Sequence, residues 1–354
     1  MTHLWLRAEQ RDNEDRTGLT PDGAATLLAK GMKVSVEDSR DRVIPTRAYA
    51  EAGCEIVAAH SWPSAPRDAL VFGLKELPDD GTPLVHRHIM FGHAFKGQHA
   101  GQRLLARFRA GGGTLYDLEY LTDETGRRVA AFGYWAGYAG AAVSLLAWAA
   151  QQRGRICPPV SAYADQEALL ADLAATLDAT GAPRPTAIVI GALGRVGTGA
   201  ADLCTAMGVA TTRWDLAETA HGGPFPEILD HDLFLNCIFA RTGTPVFVPR
   251  AALSQPRRLT VIGDVACDPD SDYNPVPVYD AATTWDAPAT RVHHAPPLDV
   301  MAIDNLPSLL PLESSQDYAH QLLPSLQSLD NLDAGVWARA AEIFRAHAWG
   351  EDTA

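Results

Sequence analysis

Apolar positions in the first third of the chain fall into short runs that alternate with stretches of helical spacing. "THLWLRAE", "KVSVEDS", "CEIVAA" and "DALVFGLKELP" read as strands, the last one ending in charge. Between them, "TPDGAATLLAKG" and "PTRAYAEAG" read as helices, with Thr20 placed to cap the first and Gly31 to stop it. "TPLVHRHIMFGHAF", the helix "GQRLLARFRAGG" and "GTLYDLEYL" follow. The same alternation resumes at "TAIVIGALGRVGTGAADL" and runs through "GVATTRWDLAE", "LFLNCIFA" and "RLTVIGDVA", with turn-rich sequence to about residue 300. The tail segments "SSQDYAHQLLPSLQSL" and "GVWARAAEIFRAH" are helical and are expected to return to the first domain. Strand–helix alternation of this kind predicts an α/β fold of two Rossmann-like, doubly wound domains, with an active-site cleft between them.

One segment breaks the alternation. From Val129 to Gln152 there is no charged side chain. That length is enough to span a bilayer. Much of the stretch is Ala and Gly, however, and α/β sequence lies on both sides. It is expected to be a buried helix whose small residues let neighbouring backbone approach closely, and not a membrane span.

The formal net charge of −14 argues against nucleic acid or an anionic membrane surface as partner. The five cysteines (54, 157, 204, 237 and 267) form no CxxC pair and no cluster with histidine, so neither a zinc site nor a disulfide framework is expected. The N-terminus is charged within seven residues and carries no signal peptide, which fits a cytoplasmic protein.

The glycines at 191, 194 and 197 follow the strand "AIVI" and precede a helix, spaced G-x-x-G-x-x-G where a dinucleotide fingerprint has G-x-G-x-x-G. The physical requirements can still be met: Gly191 ends the strand, Gly194 admits phosphate, and Gly197 lets the helix pack closely. Asp215 ends the next strand, 21 residues beyond Gly194, where a carboxylate reaches ribose hydroxyls. NAD is therefore the expected cofactor, and Arg213 keeps NADP from being excluded. On this basis residues 133–314 form the NAD-binding domain, and residues 1–132 plus about 315–354 the substrate domain.

Only four of the 29 basic residues are lysine, at 30, 33, 75 and 96. Arginine cannot be deprotonated, whereas a buried lysine can act as a base. Lys75 ends the apolar run "LVFGL" beside Glu76, an arrangement suited to tuned proton transfer. "VHRHIMFGHAFKGQ" holds His86, His88, His93 and Lys96; with no carboxylate or cysteine completing a ligand set, one of these histidines is expected as an acid/base rather than as a metal ligand. In "GRRVAAFG" two arginines precede the uncharged helix. A buried arginine pair needs anionic partners, so Arg128 is expected to grip a substrate carboxylate and Arg127 to approach the NAD phosphates.

"LRAE", "RTGLTP", "GLKELP", "HIMFGHAFKGQ", "GTLYDLEYL", "GRRVAAFG", "GALGRVGTGA", "WDLAET", "GGPFPEI", "LFLNCIF" and "IDNLPSLLP" occur in that order from residue 6 to 311. Together they resemble the NAD-dependent, lysine-forming saccharopine dehydrogenases of the aminoadipate pathway of lysine biosynthesis, within the wider alanine dehydrogenase and transhydrogenase superfamily. The resemblance implies oxidation of saccharopine with NAD and water to L-lysine and 2-oxoglutarate by a monomer. It implies that Lys75 takes the proton from the substrate's secondary amine and that His93 activates water, with Glu76 and Glu119 tuning these two bases. Arg16, Gln98, Arg128 and Phe132 fall on positions around the substrate, and Asp264, Val265 and Ala266 on a stretch facing it. Gly194, Arg195, Asp215, Thr219, Phe239, Gly263, Ile303, Asp304, Asn305 and Leu306 fall on NAD-contacting positions. No metal is implied. The chain departs from the fungal pattern at Gly263, Ala266 and Val196; at the last of these the fungal proteins carry a cysteine opposite the one matching Cys237. Two alternatives stay open on the residues alone: an alanine dehydrogenase-like or opine-type dehydrogenase, and a nicotinamide-binding component without catalysis, for which Lys75 and His93 have no use.

Overall fold

Two six-stranded sheets organise the described residues, 1–96 and 99–350, of the computed structural model. The first is built from β1 (His3–Leu6), β2 (Lys33–Glu37), β3 (Glu55–Val57), β4 (Leu70–Phe72), β5 (Arg87–Met90) and β6 (Thr114–Asp117), in the order β3-β2-β1-β4-β5-β6. Every pairing in it is parallel. The crossovers carry α1 (Pro21–Ala29), α2 (Thr46–Glu51) and α3 (His99–Gly111). Thr20 caps α1 by accepting from Gly23 N–H, and Gly31 follows in the left-handed region at φ +82°, as the sequence pattern requires. β4 is shorter than its apolar run: it stops at Phe72, so Lys75 lies on the loop that leaves the sheet.

The second sheet begins after α4 (Gly133–Gln152) and α5 (Gln166–Asp178). It contains β7 (Thr186–Ile190), α6 (Arg195–Ala206), β8 (Ala210–Trp214), α7 (Leu216–Thr219), α8 (Pro226–Leu229), β9 (Leu233–Asn236), β10 (Val261–Asp264), β11 (Thr290–His294) and β12 (Pro297–Met301). The strand order is β11-β12-β10-β9-β7-β8, parallel except for the β11–β12 pair. That antiparallel edge corrects the expectation of turns up to residue 300, because the proline pair at 296–297 and two adjacent histidines mask a real hairpin. Two tail helices, α9 (Pro311–Leu326) and α10 (Gly335–Trp349), complete the chain. By contacts, Met1–Ala131 and the tail from Pro311 form one unit, and Phe132–Leu310 the other.

The uncharged stretch is α4, most of it buried in the second unit's core. A Cβ on Gly137 would lie 1.8 Å from Val196 O, and one on Gly199 would lie 1.9 Å from Tyr134 O, so the backbones of α4 and α6 are in direct contact. Small residues, not lipid, explain its composition. Among the described residues no helix is long and apolar enough to cross a membrane.

Candidate active site

In the first unit the chain order reverses between β1 and β4, which makes the carboxyl ends of these strands the crevice where ligands bind in open parallel sheets. Lys75 leaves β4 at that point, and a second pair of groups holds its loop in place. The buried Arg7 reaches Glu9 at 3.2 Å and also donates to the carbonyl of Lys75. Glu9 accepts the N–H groups of Leu74 (2.6 Å) and Lys75 (3.1 Å). Gly73 has no room for a side chain, since its Cβ would lie 2.2 Å from Arg7 Nε.

The Lys75 side chain is 14% exposed, and its Nζ lies 3.9 Å from Oε2 of the fully buried Glu14. Arg16 holds Glu14 bidentately, Nε to Oε1 at 2.7 Å and Nη2 to Oε2 at 2.6 Å. Burial alone would raise the Glu14 carboxyl, but the Arg16 and Lys75 charges outweigh it and hold the group below its ordinary value. The carboxylate facing Lys75 is thus Glu14, which corrects the picture of Lys75 and Glu76 side by side. Glu76, next along the loop, faces Arg11 at 3.9 Å instead.

His93 follows β5 and Glu119 follows β6. His93 Nδ1 is 3.8 Å from Glu119 Oε2, and Lys96 Nζ is 3.1 Å from Glu119 Oε1. The imidazole is 54% exposed, stacks on Phe91, and sits on a backbone at φ +48°. His93, then Lys96, hold the Glu119 carboxyl down to about 2 against its partial burial. The other two histidines are structural: His86 bonds Ala65 O at 3.0 Å, and His88 is enclosed by the rings of Trp62, His86 and Phe108. Among the described residues no group of three or more His, Cys, Asp or Glu is placed to hold a metal.

The arginines of "GRRVAAFG" differ from expectation. They lie on a turn closed by the Thr122–Arg128 bridge, and both are exposed; Arg127 is 81% exposed with Asp123 at 3.7 Å. Desolvation therefore does not force an anion onto them. Phe132 precedes α4 as its N-cap, and Gln98 lies outside the described residues.

In the second unit the order reverses at β7, and the glycine loop leaves its carboxyl end. Gly191 adopts φ +87°; its Cβ would meet Cys237 O at 2.9 Å, and a Cβ on Gly197 would meet Gly191 O at 2.1 Å. Gly194 is open by comparison, its nearest neighbour being Gly191 O at 3.4 Å. It is the N-cap of α6 and offers no side-chain acceptor. The first-turn N–H groups beside the exposed Arg195 thus suit a phosphate, and the loop fits a dinucleotide. Asp215 Oδ2 accepts from Leu193 N–H at 2.9 Å, tying the end of β8 to the loop, and Thr219 Oγ1 donates back to the Asp215 carbonyl.

The remaining positions also gather at carboxyl ends. Phe239, 79% exposed, follows β9. Gly263 is the last residue but one of β10, where a Cβ would strike Ser144 Oγ at 2.2 Å. Asp264 is buried and bonded to Asn236 Nδ2 (2.9 Å) and Tyr279 OH (2.8 Å), its carboxyl raised by burial; both oxygens serve the fold, which leaves the half-buried Val265 and Ala266 as the open part of that stretch. After β12, Ile303 and Leu306 are buried, Asp304 is exposed, and Asn305 bonds Ser308 at 2.7 Å.

Comparison with known proteins decides the family. The chain is 46% identical to "Saccharopine dehydrogenase [NAD(+), L-lysine-forming]" of Yarrowia lipolytica, over 97% of each chain. It is 45% identical to the protein of the same name in Neurospora crassa (97% of this chain, 95% of that one) and 43% to that of Schizosaccharomyces pombe (97% of each). The chain belongs to the lysine-forming saccharopine dehydrogenases. Residues 5–139 match the alanine dehydrogenase/PNT N-terminal domain. Solved structures of an L-alanine dehydrogenase (TM-score 0.66, 18% identity, 99% of this chain and 94% of that one) and of a transhydrogenase from Sinorhizobium meliloti (0.64, 16%, 95% and 97%) share the fold.

All five cysteines of this saccharopine dehydrogenase are free thiols. Sequence reasoning missed Arg7, Glu9, Glu14 and Asp117. "LRAE" and "NEDRTG" contain the first three, yet only folding shows that they face a lysine some sixty residues later.

Proposed function

We propose that this enzyme oxidises saccharopine with NAD and water to L-lysine, 2-oxoglutarate and NADH. The observation that carries this is identity of 46% to a lysine-forming saccharopine dehydrogenase across 97% of both chains. NAD, when bound, supplies the hydride acceptor. The Gly191–Arg195 loop and the start of α6 are suited to its pyrophosphate. Asp215 is suited to the ribose hydroxyls, and its charge disfavours the added phosphate of NADP.

Lys75, beside the ionised Glu14, takes the proton of the substrate's secondary amine as the adjacent carbon is oxidised. Arg16 acts through Glu14, holding that carboxylate charged and in place. Water then adds to the resulting imine carbon. His93, with Glu119 beside it, accepts a proton from that water and returns one to the lysine nitrogen as the C–N bond breaks. Arg128, exposed and forked, is suited to a substrate carboxylate. Five unbonded thiols support a reducing compartment such as the cytoplasm.

The reverse reaction tests this reading. NADH should be consumed only when L-lysine and 2-oxoglutarate are both present. Consumption with pyruvate and ammonia at a comparable rate would make the enzyme an alanine dehydrogenase instead.

A further inference from the structure

We propose that Asp117 is a positioning residue for the His93–Glu119 couple; this rests on the role given to His93 above. Asp117 ends β6 with its side chain fully buried. Its two oxygens hold opposite sides of the couple. Oδ2 accepts the N–H of Gly92, the residue before His93, at 3.2 Å, and Oδ1 accepts the N–H of Glu119 at 2.9 Å. One carboxylate therefore sets the spacing of two loops whose side chains meet at 3.8 Å.

The surroundings leave little slack. A Cβ on Gly92 would lie 3.1 Å from Asp117 Oδ2 and 2.6 Å from Leu115 Cδ2. His93 itself is held in the left-handed region, which a non-glycine residue keeps only where its neighbours fix it. On the other side, the Asp117 carbonyl accepts Tyr120 N–H at 3.0 Å and closes the turn that carries Glu119. The Asp117 carboxylate bonds the backbone N–H groups of both loops and leaves the side chains of His93 and Glu119 to face each other.

The ionisable groups facing Asp117 are Glu119 and Tyr120 on its own loop, His93 on the loop after β5, and Tyr318 on α9. Burial, reinforced by the Glu119 charge, pushes the Asp117 carboxyl up to about 6, although the two N–H donors and His93 pull the other way. Glu119 ionises far lower, so the two carboxylates change charge in separate pH ranges. Protonating Asp117 replaces an ionic acceptor by a neutral one and loosens its hold on both loops.

Asp117→Asn keeps the shape, removes the charge and offers one amide oxygen where two acceptors stood. In the full-length enzyme, kcat for saccharopine should fall about tenfold or more while the KM for NAD stays within about twofold. The acid limb of the kcat profile near pH 6 should move, and the nitrogen-15 resonances of the His93 ring should shift. In the wild-type enzyme the amide resonances of Gly92 and Glu119 should share an inflection near pH 6 that Asp117→Asn removes. A variant with wild-type kcat, pH profile and His93 resonances would overturn the proposal. Should the variant not fold, the wild-type amide resonances of Gly92 and Glu119 decide: if the two show no shared inflection as the Asp117 carboxyl that they both bond protonates, the proposal is overturned equally. If the wild-type enzyme does not oxidise saccharopine at all, the functional reading fails, and the His93 resonances still test Asp117 independently.

Discussion

Lys75 lies within ion-pair distance of a carboxylate that Arg16 grips from another side, and its loop is tied down by Arg7 and Glu9. A base so fixed is replaceable by no neighbour, and four lysines in the whole chain leave few substitutes. Lys75→Met and His93→Gln should each lower turnover by roughly two to four orders of magnitude while NADH binding, followed by fluorescence, is retained. Glu14→Gln leaves Arg16 and Lys75 facing each other without the anion, and should lower turnover by less than Lys75→Met does. Lys75 stood out by its rarity, whereas the residues alone left His86, His88 and His93 open and only the family resemblance singled out His93. Glu14 was not, because charge pairing across the sheet leaves no local signal. His88 is a separate matter of stability. Burial, followed by the Arg7 and His86 charges, holds its ring well below the ordinary 6.5, so the folded state keeps it neutral. The unfolded chain binds a proton below about 6.5 that the fold refuses, and stability falls as pH drops through that value. His88→Leu should therefore gain in melting temperature relative to wild type as the pH is lowered from 7 to 5. A constant difference across that range would show that His88 is not the group responsible.

At the scale of elements, the β7–α6–β8 segment is the one proposed to hold the cofactor, and its strand–loop–helix–strand course could be read directly. Gly191, Gly194, Gly197 and Asp215 stand where the turn, the helix cap and the strand end need them. Replacing Asp215 with Ser should narrow the preference for NAD over NADP, measured as the ratio of kcat/KM values; a wild-type enzyme faster with NADP would contradict the assignment. The contact of α4 with α6 gives a sharper structural test. Gly137→Ala sets a methyl against the Val196 carbonyl and should lower stability by about 3 kcal/mol or more, read from thermal unfolding. A variant as stable as wild type would mean that the helices are not in backbone contact. What the sequence hid at this scale was the β11–β12 hairpin, masked by proline and histidine. It also hid α5, although a capping Asp165 and leucines at 169, 173 and 177 carried its signal.

Across the whole molecule, the parallel strands of two sheets bring residues from distant segments to their carboxyl ends: Lys75, His93 and Glu119 in one unit, the glycine loop and Asp215 in the other. The alternation of strands and helices made this layout legible, because each element's period survives without its partners. The charge network did not, because it exists only once β1 and β4 are neighbours. The reaction itself is tested most directly by product analysis of the purified enzyme with saccharopine and NAD. One L-lysine and one 2-oxoglutarate should appear for each NADH formed. NADH without lysine, or faster NADH formation from L-alanine than from saccharopine, would contradict it.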